Sequence, residues 1–277
     1  MNSKLKLCIS KFGNLIRFAL NKVGLSINKA ASVSDVVAAI EFLRPRKING
    51  PLIQIGGKGD GVYRIPDDLV GISKCLSPGV GNTNEFEIDL YNRFDIPSDL
   101  IDYSVDRLPE PHEALSFQKK FLGMKSEGDF LGINDWVENV NSDQDAELII
   151  QMDIEGSEYE VIMGMSYSVA RKLRIIAIEF HNLELLCDRY GVVFLRSVFK
   201  KLSITHTPVY LKANNETPMY DFHGIKIPRN IEVTYIRNDR LQAETSFISY
   251  QAYLNDIEEL NRSDKQRLVL SADWFGC

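Results

Sequence analysis

The chain has 277 residues, 44% hydrophobic and 25% charged, the proportions of a folded globular protein rather than of a disordered or collagenous one. A formal net charge of −6 speaks against a general nucleic-acid binder, which carries a basic footprint. The cysteines, Cys8, Cys75, Cys187 and Cys277, form no Cys-x-x-Cys pair and no zinc spacing, so neither a disulfide scaffold nor a metal centre is compelled.

Residues 1–31 contain Lys4, Lys6, Lys11, Arg17, Lys22 and Lys29 and no acid, while Leu5, Ile9, Phe12, Ile16, Leu20 and Val23 recur at helical spacing. This segment reads as a basic amphipathic helix, suited either to an anionic membrane surface or to packing on the rest of the protein. No apolar run of about 18 residues marks a transmembrane helix, and Lys11, Asn14 and Arg17 break any signal-peptide core. The expected location is cytoplasmic; on the membrane reading of residues 1–31, contact is peripheral, at the inner face of the cell membrane. A second short helix over 36–43 stops before Pro45. From Pro51 onward strands alternate with helices, which predicts an α/β fold: a Rossmann-like, seven-stranded, mostly parallel sheet with helices on both faces. Strands are expected over 72–76, 100–103, 121–124, 148–154, 174–180, 207–211 and 231–236, with a helix over 83–94. Residues 32–240 form the main domain, and 241–277 a tail with a helix near 250–262. No oligomeric state is read from the sequence.

Chemistry gathers at four strand ends. The loop Gly79-Val80-Gly81-Asn82 follows the strand over 72–76, where glycines let the backbone approach a nucleotide closely. It lacks the third glycine of a dinucleotide loop, because Asn84 stands there, so it suits a cofactor without a pyrophosphate. Asp102, about 20 residues further on, ends the next strand, where a carboxylate reaches ribose hydroxyls; Ser104 adds a hydrogen bond. The apolar strand over 148–154 ends in Asp153, Glu155 and Glu158 around Gly156, at the mouth where open α/β sheets bind ligands. Glu179 and His181 close the following strand on one face, and an imidazole beside Asp153 is a general-base candidate.

The run from Gln151 to Val161 (Gln-Met-Asp-Ile-Glu-Gly-Ser-Glu-Tyr-Glu-Val), followed by Ile178-Glu179-Phe180-His181, resembles the FkbM-type methyltransferase family. Segments 57–63, 65–69, 79–81, 102–106, 109–112, 214–215, 227–228 and 232–237 resemble a bacterial branch linked to surface glycans, so the likeness spans about residues 50 to 240. The resemblance implies S-adenosylmethionine as cofactor and O-methylation of a sugar or glycan hydroxyl. It adds Asp60 and Tyr63 to a cofactor site of Gly79, Gly81, Asn82, Asp102, Ser104 and Asp153. Two departures stand out: Val62 replaces a glycine of Asp-Gly-Gly-Tyr, and Lys212 stands where this branch often has a histidine two residues before the Asn pair.

In-line methyl transfer needs positioning and removal of one proton. The expected catalytic group is His181, Asp153 and Glu155, with Glu158, Lys212 and Asn215 binding the acceptor; no metal is assigned, a divalent ion on some of Asp153, Glu155, Glu179 and His181 being the lesser alternative. Two other readings compete: an NAD-dependent nucleotide-sugar enzyme, and a non-catalytic module that keeps the fold within a glycan-assembly complex.

Overall fold

The computed structural model describes residues 28–57, 61–140, 147–242, 245–257 and 267–277. The amphipathic segment up to residue 27, Asp60 and the far end of the expected helix over 250–262 lie outside the described residues. Among the described residues no helix is long and apolar enough to cross a membrane.

Helix α1 (Val33–Ile40) starts where the Ser32 hydroxyl accepts from the Asp35 N–H, and it buries Val36, Ala39 and Ile40. Strands β1 (Leu52–Ile55) and β2 (Tyr63–Pro66) form an antiparallel hairpin. Then follow β3 (Lys74–Pro78), α2 (Glu85–Phe94), β4 (Ser98–Ile101) and β5 (Leu115–Gln118). Short β6 (Phe121–Gly123) and β7 (Phe130–Gly132) pair with each other and lead into α3 (Ile133–Val140). The centre of the chain gives β8 (Leu148–Met152), α4 (Glu158–Gly164), α5 (Tyr167–Lys172), β9 (Leu173–Phe180) and α6 (Arg189–Ser203). The last elements are β10 (His206–Ala213), the hairpin β11 (Met219–Phe222) and β12 (Ile225–Pro228), β13 (Ile231–Arg237) and α7 (Tyr250–Asp256).

The large sheet runs β10-β13-β9-β8-β3-β4-β5. Pairs from β9 to β5 are parallel, and β13 is antiparallel to both its neighbours. Every residue of β8 and β9 is buried, as expected of strands covered on both faces. One face packs Ile149, Ile175 and Ala177 under the β1–β2 hairpin and α2, through Ile55, Tyr63, Phe86 and Leu90. Ile150, Met152, Ile178 and Phe180 alternate to the other face, under Trp136, Val161, Leu195 and Phe199. The C-terminal residues join that second core: Tyr253, Leu270, Trp274 and Phe275 are buried in it, and the Trp274 indole donates to the Lys226 carbonyl at 2.8 Å.

The chain proceeds from β3 outward through β4 and β5, then returns to place β8 on the other side of β3. That reversal opens a crevice beyond the carboxyl ends of β3 and β8, the usual ligand position in such sheets. One strand differs from expectation. Residues 121–124 belong to the separate β6–β7 pair, and the edge place beside β4 is taken by β5. Its Ser116 and Gln118 face solvent, so the stretch lacks the apolar run of an inner strand.

Candidate active site

On one side of the crevice, β3 ends against β8. Gly79 has φ +87°, and a Cβ there would fall 1.6 Å from the Asp153 carbonyl oxygen, so only glycine lets the strands meet. Gly81, at φ +54°, has open space where a side chain would be. Its N–H donates to Asp102 Oδ2 at 2.9 Å, while the Ser104 N–H and hydroxyl both donate to Oδ1 at 2.7 Å. The predicted group Gly79, Gly81, Asp102 and Ser104 is therefore brought together, with Asn82 exposed in the same turn. Asn84 is a contributor that sequence reasoning missed. Buried at the start of α2, it donates to the Glu110 carbonyl at 2.8 Å and accepts from the Glu110 N–H at 2.9 Å, fixing the loop over 109–112.

Across the crevice, strand register lines up charged residues. Asp153 follows β8 directly; Glu179 of β9 is opposite Glu232 of β13, which is opposite Lys212 of β10. Lys212 Nζ lies 3.2 Å from Glu232 Oε1, an ion pair that turns Lys212 inward. Glu179 accepts from Asn214 Nδ2 at 2.8 Å, so Asn214 meets the cluster, and the predicted Asn215 beside it is equally buried. Burial holds the Glu179 carboxyl well above the usual carboxylate range, and the charges of Asp153 and Glu232 add to that.

His181 sits among carboxylates. Its Nδ1 is 2.9 Å from Glu158 Oε1; its Nε2 is 3.6 Å from Asp153 Oδ1 and 3.5 Å from Glu155 Oε2. Burial disfavours a charged imidazole. The hydrogen bond and charge of Glu158, with Glu179 and Asp153 behind them, outweigh burial and lift His181 to about 9. Glu158, expected to touch the acceptor, is corrected here. Its side chain is 0% exposed, and Oε1 also accepts from the Ile154 and Gly156 N–H groups at 3.1 Å each. The first turn of α4 folds it back under the strand ends, where it positions His181. Glu155 has the opposite surroundings, with φ +56° and a side chain 89% exposed. A left-handed non-glycine residue of this kind is strained backbone at the crevice mouth.

Tyr63, expected at the cofactor, is buried against the sheet, its ring edge-on to Phe86. Gln151 Oε1 accepts from Ser77 Oγ at 2.9 Å, and Ser77 also bonds Glu87. Burial raises the Glu87 carboxyl. Ser77 thus joins Glu87 and Gln151 into one buried hydrogen-bonded chain.

Residues 130–201 match the family model of the methyltransferase FkbM domain. The matched stretch runs from β7 into α6 and contains Asp153, Glu155, Glu158, Glu179 and His181. No curated protein matches the chain.

Proposed function

We propose that this chain is an S-adenosylmethionine-dependent O-methyltransferase acting on a hydroxyl of a sugar or glycan. The observation that carries the reading is the pairing, at one switch-point crevice, of the Gly79–Gly81 loop and Asp102 with the acid–imidazole cluster of Asp153, Glu155 and His181. The residues fit such a cofactor. Gly81 leaves open space, the Asp102 carboxylate stands beside it for a ribose diol, and the buried Asn84 occupies the place where a dinucleotide loop needs its third glycine. When bound, the sulfonium supplies an activated methyl group for in-line displacement.

The protein's part is positioning and proton handling. Asp102, held in place by the Gly81 N–H, takes the ribose end, and Asp153, against Gly79, lies at the methionine end. An imidazole lifted to about 9 already carries its proton at neutral pH. His181 therefore orients Asp153 and Glu155 and balances their charge, while the acceptor's proton passes to the exposed Glu155 carboxylate. This moves proton uptake from the imidazole expected at first to its carboxylate partners.

Thermal shift of the purified chain tests the cofactor assignment. S-adenosylmethionine and S-adenosylhomocysteine should raise Tm, and NAD should not. Stabilisation by NAD alone, or no response to either sulfur compound, overturns the reading. Mass spectrometry of candidate glycans after incubation with methyl-labelled cofactor identifies the acceptor.

A further inference from the structure

Asp153, Glu179 and His181 each offer one ligand atom to a common point, and these atoms lie within 4.8 Å of one another. Ligands at about 2.0–2.4 Å from one ion stand roughly 3–4.5 Å apart. The triangle is thus within a small side-chain rotation of a coordination sphere, and the 3.6 Å between Asp153 Oδ1 and His181 Nε2 already fits one. The donors come from paired strand ends rather than from a loop, since Asp153 follows β8 while Glu179 and His181 lie at the end of β9.

A second observation concerns the imidazole. Glu158 accepts from Nδ1 and is itself fixed by two backbone N–H groups, so Nε2 is aimed at Asp153. A carboxylate behind the far nitrogen is how proteins orient imidazoles that bind metals. Charge points the same way. Asp153, Glu155 and Glu158 lie against one histidine, and the Lys212 ammonium on this row is paired with Glu232. A dication would offset that surplus of partly buried negative charge.

We propose that the crevice binds one divalent cation of the Mn²⁺ class through Asp153, Glu179 and His181. Two carboxylates and one imidazole form a mixed oxygen–nitrogen set that suits such an ion better than thiolate-seeking metals. Its remaining positions take water or two neighbouring hydroxyls of a sugar. A hydroxyl held there becomes more acidic. As the new O–CH₃ bond forms and the C–S bond breaks, with its electron pair going to sulfur, the hydroxyl proton goes to Glu155. The ion's catalytic role rests on the methyltransferase reading; its binding does not.

The test uses chelator-treated full-length protein titrated with Mn²⁺ alone, following free Mn²⁺ by electron paramagnetic resonance. One saturable ion per chain is expected, with a ¹⁴N coupling from the imidazole in pulsed spectra of the wild-type complex. Glu179→Gln and His181→Gln should each weaken binding about tenfold or more, and His181→Gln should lose the nitrogen coupling. Glu127→Gln, at an exposed surface ion pair, should change nothing. Circular dichroism checks that the variants fold. Absence of a saturable site at millimolar Mn²⁺, or a bound ion without nitrogen coupling in the wild type, overturns the proposal. Calorimetry with S-adenosylmethionine on the same samples separates the two readings, because cofactor binding without ion binding sinks this inference alone.

Discussion

Single residues decide whether the crevice exists. Gly79 stands at the crossing of β3 and β8, where both its φ of +87° and the Asp153 carbonyl exclude a side chain. Left-handed strain costs a non-glycine residue about 1–3 kcal/mol, and the backbone clash adds to it. Gly79→Ala should therefore lower Tm by several degrees and weaken cofactor binding at least about tenfold. Gly81→Ala, with open space around it, should keep the fold at a cost of about 1 kcal/mol. Melting curves and calorimetry on both variants check this, and a wild-type Tm for Gly79→Ala would refute it. At this scale the sequence revealed what strand-end chemistry reveals: Gly79, Gly81, Asp102, Asp153 and His181 were legible because each breaks an apolar run. Asn84, Asn214 and the inward turn of Glu158 were not, because their roles depend on contacts with Glu110, Glu179 and His181 that no local pattern encodes.

Among the elements, the inner strands were the legible ones. β8 and β9 are buried throughout and read as continuous apolar runs. The edge strand β5 and the hairpins were harder. The β11–β12 turn uses His223 and Gly224, both at positive φ, whereas the usual signal for such a two-residue turn is Asn-Gly or Asp-Gly. The β1–β2 hairpin matters most to the site, because β2 lays Tyr63 over the sheet beside the acid row. Beneath it, Ser77→Ala removes the buried β3 hydroxyl that joins Glu87 and Gln151. Leaving a buried amide short of a partner costs about 1–3 kcal/mol. Urea unfolding should show a loss of that size with an unchanged slope, and an unaltered midpoint would mean that the Glu87–Ser77–Gln151 chain contributes nothing to stability.

For the whole molecule, the two ends of the sheet have different tasks. The carboxyl ends of the parallel strands gather the candidate site, whereas the opposite end is tied by ions. Glu147, just before β8, bonds Arg174 Nε of β9 at 2.9 Å and Arg237 Nη2 of β13 at 2.8 Å. Alternation of strands and helices made the mostly parallel α/β architecture legible. The docking of the C-terminal residues was not, since Trp274 and Phe275 carry no periodic pattern and find their places only in the assembled core. At the ion-tied end His206 is fully buried, with Nε2 donating to the Leu173 carbonyl at 2.7 Å and Nδ1 accepting from the Thr205 hydroxyl at 2.8 Å. Burial lowers its pKa to about 4, against about 6.5 in an unfolded chain. Between those values the unfolded chain binds the proton and the folded one does not, so the contribution of His206 is full above pH 6.5 and falls as pH drops towards 4. The loss from this one group reaches about 3 kcal/mol. From the unfolded carboxylate value of about 4.3 downward, Glu147, which bonds to Arg237 and Arg174 hold low against its burial, loses its own contribution as it protonates. Urea unfolding at several pH values should give this decline in the wild type, and His206→Gln should flatten it between pH 6.5 and 4; an equally steep decline in the variant would remove His206 as its source.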